Sequence, residues 1–357
     1  MPVECRGFFS GILQQGYALG YLIAAIFNLY VVPTNPNSWK ALFYIGAGLT
    51  LAVAILRLFF PESRQFLEQR ERARLNPELR VTGANKVKAF TADTKKILKI
   101  YWKKCLYACL LMALFNAMSH TSQDMYPTYM QQTKGFSPQD SSKATIVAKT
   151  GAIVGGTFAG YYSQFFGRRA TIMVCTILGA ALIPFWVLPS AFSPLTAGAF
   201  FLQFCVQGAW GVIPIHLNEL APPQFRASFP GITYQIGNMV SAPMAQISSV
   251  ISESWHIWLW VPGSTEGSGT WEERPDYART QAAMMSIIFV LTCVWTACGS
   301  ESRGTRFELA GVAGDTDAVP RGKEVEEFRD GAHEDAKGKD NGVELTGRES
   351  DRHIGGV

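Results

Sequence analysis

The feature that most constrains the fold is a series of long apolar stretches that recur along most of the chain. A helix needs about 20 mostly apolar residues to cross a bilayer. We predict eight spans, at residues 8–32, 39–60, 104–130, 145–166, 170–189, 195–217, 228–252 and 280–299. A large soluble protein with buried helices is the alternative, but soluble helices show a polar face and these mostly show none. The sequence therefore predicts an all-α, polytopic membrane protein.

Charge predicts the orientation of these spans, because Lys and Arg accumulate in cytoplasmic loops. The connection at residues 61–103 and its border with the third span are rich in Lys and Arg, from Arg64 to Lys104. By alternation, Arg168, Arg169 and Arg226 fall on the same side, whereas the loops at 33–38 and 189–194 carry no Lys or Arg. We predict a cytoplasmic basic linker at 61–103. The charged, Gly-rich segment 300–357 is predicted to be a disordered cytoplasmic tail.

Several functional classes find little support in the sequence. The seven cysteines are scattered through apolar segments without a metal-ligand spacing, so buried thiols are expected. No Ser/His/Asp triad or phosphate-binding loop indicates an enzyme. The net charge of +4 comes from basic loops and does not call for nucleic acid. We expect no metal and no cofactor, with the lipid bilayer as a partner.

The third predicted span contains a polar run, residues 116–124, inside an otherwise apolar segment. Helical spacing places Asn116, His120 and Asp124 on one stripe, with Ser119 and Gln123 beside it. Polar and ionisable groups are costly in hydrocarbon and usually mark a substrate or proton pathway. The run therefore predicts a polar pathway within the bundle.

The residue types of this run suit an anion and a proton. His120 can hold a proton near neutral pH, and Asp124 can stabilise the protonated ring or carry the proton itself. Asn116, Ser119 and Gln123 can orient a carboxylate through hydrogen bonds. A purely structural hydrogen bond between His120 and Asp124 is the alternative.

Two further patterns indicate a repeated bundle. Arg6 begins the pattern Arg, four residues, Gly, three residues, Gln, and Arg226 begins the same pattern six helix starts later. The run Gly160-Tyr-Tyr-Ser-Gln164-Phe-Phe-Gly167-Arg168-Arg169 resembles the loop motif G-x-x-x-D-x-x-G-R-[KR] of the major facilitator superfamily, whose halves are six-helix repeats. Gln164 replaces the usual acid, which puts an acid-based gating contact in doubt, and a simple basic loop anchor is the alternative. The preceding glycines, from Gly151 to Gly160, are expected to serve helix packing more than substrate contact.

The polar run also carries a family signature. Asn116-x-x-Ser119-His120-x-Ser122-Gln123-Asp124-x-x-x-Thr128 resembles the pattern N-x-x-[ST]-H-x-[ST]-Q-D-x-x-x-T of the fungal Jen-type carboxylate/proton symporters, the lactate and pyruvate permeases. The resemblance extends from about Pro2 to Gly299. It implies proton-coupled transport of short monocarboxylates of the lactate, pyruvate and acetate type at the plasma membrane. A dicarboxylate transporter, another facilitator-type transporter or a truncated, non-transporting relic are the alternatives.

The resemblance assigns further residues and a register. Phe9, Ser10 and Gln235 map to pathway-lining helices, and Gln14 lies at helical spacing from Ser10. Gln203 and Gln207 suit interhelical hydrogen bonds as well as a pathway.

The register makes residues 1–60 helices 5 and 6 of twelve and residues 104–299 helices 7 to 12. We therefore expect a chain that lacks the first four helices of such a bundle. Expressed alone, it is expected to be unstable or retained in the endoplasmic reticulum and not to transport.

The preferred class of carboxylate is predicted from the Arg and Lys residues of the pathway helices. The candidate pathway helices supply no Arg or Lys at mid-membrane depth, because Lys149 is placed nearer the outer end of its helix. A second carboxylate would need a second cation to offset its burial. We therefore expect short monocarboxylates to be preferred over dicarboxylates.

Overall fold

A computed structural model describes residues 5–35, 39–62, 67, 71, 83–221, 228–262 and 269–301 of the chain. The side chains of residues 83–94, 96–98, 261, 262 and 269 are not among those described. Most of the predicted basic linker before residue 83, Arg226 and the predicted tail from residue 302 onward lie outside the described residues.

Helices make up most of the described structure. They are α1 (Arg6–Tyr30), α2 (Lys40–Phe59), α3 (Gly83–Ser119), a π-helical turn (His120–Asp124), α4 (Tyr126–Gln132), α5 (Pro138–Phe166), α6 (Arg168–Val187), α7 (Phe192–Leu220), α8 (Phe229–Ser241), α9 (Met244–Glu253) and α10 (Tyr277–Cys298). This arrangement confirms the predicted all-α, polytopic class. The helix α3 begins inside the predicted linker and has non-helical backbone angles at Tyr101.

Within the described residues, six helical segments are long and apolar enough to cross a membrane: α1, α2, residues Lys99–Gln132, α6, α7 and α10. The two other predicted spans are helical but fall short of that standard. In α5, glycines and Lys149 dilute the apolar residues. The predicted span 228–252 is broken at Ala242 and Pro243, which leaves α8 with 13 residues and α9 with 10.

The helix α5 packs closely against two neighbours through its glycines. A Cβ at Gly155 would overlap the backbone of Phe204 in α7, and a Cβ at Gly160 would overlap Gly11 in α1. Small residues at such spacing allow helix backbones to approach each other. The predicted packing role of this glycine series is therefore confirmed, and α1, α5 and α7 form a tightly packed trio.

A β-hairpin that the sequence analysis did not predict lies between α9 and α10. Strand β1 (His256–Pro262) pairs with β2 (Gly269–Pro275) in antiparallel register, with Trp260 opposite Trp271. Alternation along β1 leaves Trp258 and Trp260 exposed and half-buries Ile257 and Leu259. The hairpin is a local exception in an otherwise helical fold.

Candidate functional site

The predicted polar run lies at an interruption of its helix. The expected continuous helix 104–130 is broken by the π-helical turn His120–Asp124, and α4 then starts with Pro127 at its second position. Such turns are rare and frequent at functional sites. Within this turn, His120 Nδ1 and Asp124 Oδ2 are 2.7 Å apart, and their side chains are 33% and 37% exposed. The predicted His–Asp contact therefore forms, and both side chains are partly exposed.

Ser119 and Asn116 are held by different partners. The indole Nε1 of Trp210, from α7, donates a hydrogen bond to Ser119 Oγ at 2.7 Å. Asn116 is buried, and its Nδ2 donates to the Met112 carbonyl of the same helix at 2.9 Å. Ser119 thus joins α3 to α7, while the amide donor of Asn116 is used within α3.

Gln123 meets a buried cation that the sequence analysis placed elsewhere. Its Oε1 accepts hydrogen bonds from Lys149 Nζ at 2.5 Å and from the Tyr17 hydroxyl at 3.3 Å. Lys149 is 2% exposed, and its Nζ lies 3.8 Å from the centre of the Tyr21 ring. A cation therefore contacts a residue of the predicted pathway, whereas the sequence analysis expected none at mid-membrane depth. Because α5 begins at Pro138 rather than at residue 145, Lys149 lies deeper in its helix than the predicted span implied.

A small cavity adjoins this contact. Gln123 and Lys149 line it together with Ser122, Tyr126, Thr145, Ala148, Trp186, Ala199 and Gln203. Gln203 Nε2 donates to the Ser122 carbonyl at 3.3 Å, so this residue serves both helix packing and the cavity wall. The residues that line the cavity come from α4, α5, α6, α7 and the π-helical turn.

Other predicted pathway residues are not part of this hydrogen-bonded group. Ser10 is buried, and its Oγ donates to the Gly211 carbonyl and accepts from the Ile215 amide, both at 3.1 Å. It therefore ties α1 to α7. The remaining four are more accessible: Phe9 and Gln235 are exposed, and Gln14 and Thr128 are half-buried.

The loop motif forms a buried ionic contact. Gly167, at φ 91°, links α5 to α6 in a backbone conformation that suits glycine. The Nε and Nη2 atoms of Arg168 each lie 3.3 Å from the carboxylate of Glu219, and Nη1 donates to Ser163 Oγ at 2.7 Å. Arg168 is only 3% exposed and pairs with an acid, so the alternative of a simple basic loop anchor does not describe it. Although Gln164 replaces the usual acid, Glu219 of α7 supplies one.

A second acid, Glu301, caps the start of α6. The backbone amides of Arg168 and Arg169 donate to its carboxylate at 3.2 and 3.1 Å. Negative charge is favoured at a helix N-terminus. Arg169 in turn donates to the carbonyls of Thr296 and Ala297 at the end of α10. The motif therefore joins α6, α7 and α10.

Sequence reasoning missed the pairing of both acids. Glu219 follows the sixth predicted span and Glu301 follows the last one, so both are predicted on the same membrane side as Arg168. Their predicted location on the same side was the sequence signal that could have indicated this pairing.

Comparison with known proteins places the chain in a family. The model of the Major Facilitator Superfamily matches residues 1–245. The carboxylic acid transporter protein homolog of Saccharomyces cerevisiae is 31% identical over 308 residues, which are 84% of this chain and 49% of the yeast protein.

More distant relatives match a smaller part of the chain. The cis,cis-muconate transport protein of Acinetobacter baylyi is 23% identical over 242 residues, covering 68% of this chain and 56% of that protein. The putative niacin/nicotinamide transporter of Bacillus subtilis is 24% identical over 238 residues, covering 66% and 55%. The chain spans about half the length of these curated relatives. Because the family model covers well over half of the chain, the protein belongs to the Major Facilitator Superfamily, a family of membrane transporters and not of enzymes.

Proposed function

We propose that the protein carries short monocarboxylates, of the lactate, pyruvate and acetate type, across the plasma membrane together with a proton. The observation that carries this proposal is the His120–Asp124 contact of 2.7 Å in the π-helical turn. The contact lies in a segment that resembles the Jen-type symporter signature. The similarity to a carboxylic acid transporter homolog and to transporters named for muconate and niacin supports the acid class of the substrate.

The charge of this pair links the proton to the anion. With the proton bound, His120 is positive and Asp124 is negative, so the pair is neutral. Without it, the pair carries one negative charge that repels a carboxylate. Each ligand therefore favours the binding of the other, as thermodynamic reciprocity requires.

Substrate release on the other side requires a conformational change. The π-helical turn contacts α1 through Tyr17 and α7 through Gln203. Alternating access in this superfamily involves rocking of two helical halves around one site. We assign the loop-motif residues Gly160, Gln164, Gly167, Arg168 and Arg169 to control of this movement on the cytoplasmic side.

Uptake measurements test the proposal. Labelled lactate uptake is followed in yeast cells that lack their own carboxylate permeases. The cells express either the chain or a chimera in which it replaces the matching residues of the yeast relative. His120→Ala and Asp124→Ala are expected to abolish proton-driven accumulation, because each removes a proton-exchanging group. Ser122→Ala, in the same turn, is the control and is expected to retain most of it.

The same assay also defines the results that would contradict the proposal. Surface delivery of each variant is checked by immunolabelling. Accumulation against the gradient at the wild-type rate in both mutants would contradict the role of the pair. Competition by excess succinate that equals competition by excess pyruvate would contradict the preference for monocarboxylates.

A further inference from the structure

Lys149 is a buried cation with no carboxylate within salt-bridge distance among the residues that the structure describes, although the charge of Asp124 acts on it from farther away. The ion pairs there join other residues. A lysine ammonium has three donor hydrogens, and the described acceptors are Gln123 Oε1 at 2.5 Å and the ring face of Tyr21 at 3.8 Å. Burial of a charge is costly unless it is paired. The position therefore suits an anion that arrives from outside the protein.

Two further polar atoms beside Lys149 also lack partners. Gln123 Nε2 and Gln203 Oε1 are buried, with no hydrogen bond to any described residue. Both side chains line the cavity that Lys149 lines. The cavity wall thus offers an ammonium, an amide donor and an amide acceptor. A carboxylate can accept from the first two, and a neighbouring hydroxyl, as in a 2-hydroxy acid, can donate to the third.

We propose that Lys149 binds the carboxylate of the transported substrate, with Gln123 as the second donor. This inference rests on the proposed monocarboxylate transport. Before the substrate arrives, Gln123 and the ring of Tyr21 hold the ammonium, with the Tyr17 ring centre 5.5 Å away. The carboxylate then replaces part of these contacts. The substrate is recognised as an anion at Lys149, whereas the proton is carried by the neighbouring His120–Asp124 pair.

The charge balance explains both selectivity and coupling. With a proton on the pair, His120 and Asp124 cancel, and Lys149 leaves one net positive charge for one carboxylate. Without that proton, the charge of Asp124 offsets Lys149 and leaves no net charge for an anion. A dicarboxylate would bring one uncompensated negative charge into the site. The proposed preference for monocarboxylates thus rests on this charge balance rather than on the absence of a cation.

Direct binding tests the assignment. The full 357-residue chain is purified in lipid nanodiscs, and the dissociation constants of labelled lactate and of its neutral amide, lactamide, are measured. The wild-type protein is expected to prefer lactate by about tenfold or more, as a charge-assisted contact implies. Lys149→Gln is expected to lose this preference. Lys143→Gln changes an exposed lysine of the same helix, 3.1 Å from Asp140, and is expected to keep it.

A second variant keeps the test decisive if Lys149→Gln folds poorly. Gln123→Glu is nearly isosteric and gives Lys149 a carboxylate from within the protein. It is expected to fold and to lose the preference for lactate. Melting curves and elution profiles are recorded for every variant.

The outcomes separate the two claims. A wild-type chain that binds lactate no better than lactamide, or not at all, would overturn the proposed function and this inference with it. Lactate preference in the wild type that persists unchanged in Lys149→Gln or in Gln123→Glu would overturn the role of Lys149 alone.

Discussion

At the scale of single residues, Arg168 and Glu219 make the most deeply buried ion pair of the described chain, at 3% and 6% exposed. Loss of one partner leaves an uncompensated buried charge, which costs about 3–5 kcal/mol. We therefore expect Glu219→Ala to lower the free energy of unfolding by about this amount. The double change Arg168→Met with Glu219→Met is expected to cost less, because it leaves no charge. Thermal melting of the purified protein in detergent measures both.

The exposed pair Arg274–Glu272 of the hairpin is the matched control. Its atoms are 2.8 Å apart, but solvent screens the interaction. Glu272→Ala is expected to change stability by less than about 1 kcal/mol. Equal melting temperatures for Glu219→Ala and Glu272→Ala would contradict the claim that the buried pair contributes more to stability than the exposed pair.

Sequence reasoning reached part of the site at this scale. The separation of four residues was enough to predict the His120–Asp124 contact, because it survives in the π-helical turn. The turn itself follows from no residue pattern, and the Asn116 amide donates to the Met112 carbonyl rather than to the pair. Lys149 was misplaced because its helix starts earlier than its apolar residues do. Contacts such as Trp210 with Ser119 join residues far apart in sequence, and spacing within one helix cannot reveal them.

At the scale of helices, the close approach of α5 and α7 depends on Gly155. A Cβ there would overlap the Phe204 backbone, which cannot move aside as a flexible side chain can. We expect Gly155→Ala to lower the free energy of unfolding by about 1–3 kcal/mol, as overpacking does. Gly16→Ala in α1 is the control, since nothing described lies within 4 Å of its Cβ position. It is expected to be neutral or slightly stabilising because alanine favours helix. Thermal melting distinguishes them, and equal stability would contradict the packing account.

Helix positions were more predictable than helix interruptions. The predicted span 170–189 corresponds to Arg168–Val187, and 280–299 corresponds to Tyr277–Cys298. Long apolar runs determine these helices locally. The break at Pro243 fell within one apolar run and was missed. The hairpin after it was also missed, because its short alternating strands depend on pairing with each other.

At the scale of the whole molecule, α7 connects the candidate site to the loop motif. Trp210 of this helix contacts Ser119, and Glu219, nine residues later, pairs with Arg168. Ser10 of α1 bonds to the same helix between these points. A movement of α7 would therefore change both the contact with Ser119 and the contact with Arg168. We propose this helix as the element that links substrate binding to the cytoplasmic contact.

The predicted orientation is a whole-molecule claim that labelling can check. The Lys and Arg asymmetry predicts that residues 61–103 lie in the cytoplasm. In a variant without native cysteines, a cysteine introduced at Ala84 is expected to react with an impermeant reagent only after the cells are opened. A cysteine introduced at Ser190, in the opposite loop, is the control and should react in intact cells. Labelling at residue 84 in sealed cells would contradict the predicted orientation.

Coupling of lactate to a proton is the central claim, and accumulation in sealed vesicles tests it most directly. The chimera with the yeast relative is reconstituted into proteoliposomes whose interior is more alkaline than the medium. Labelled lactate is expected to accumulate above the outside concentration and to leak back when a protonophore collapses the gradient. Because carboxylic acids also cross bilayers unaided, protein-free vesicles and His120→Ala set the background. Uptake that stays at this background, or that ignores the protonophore, would contradict the account.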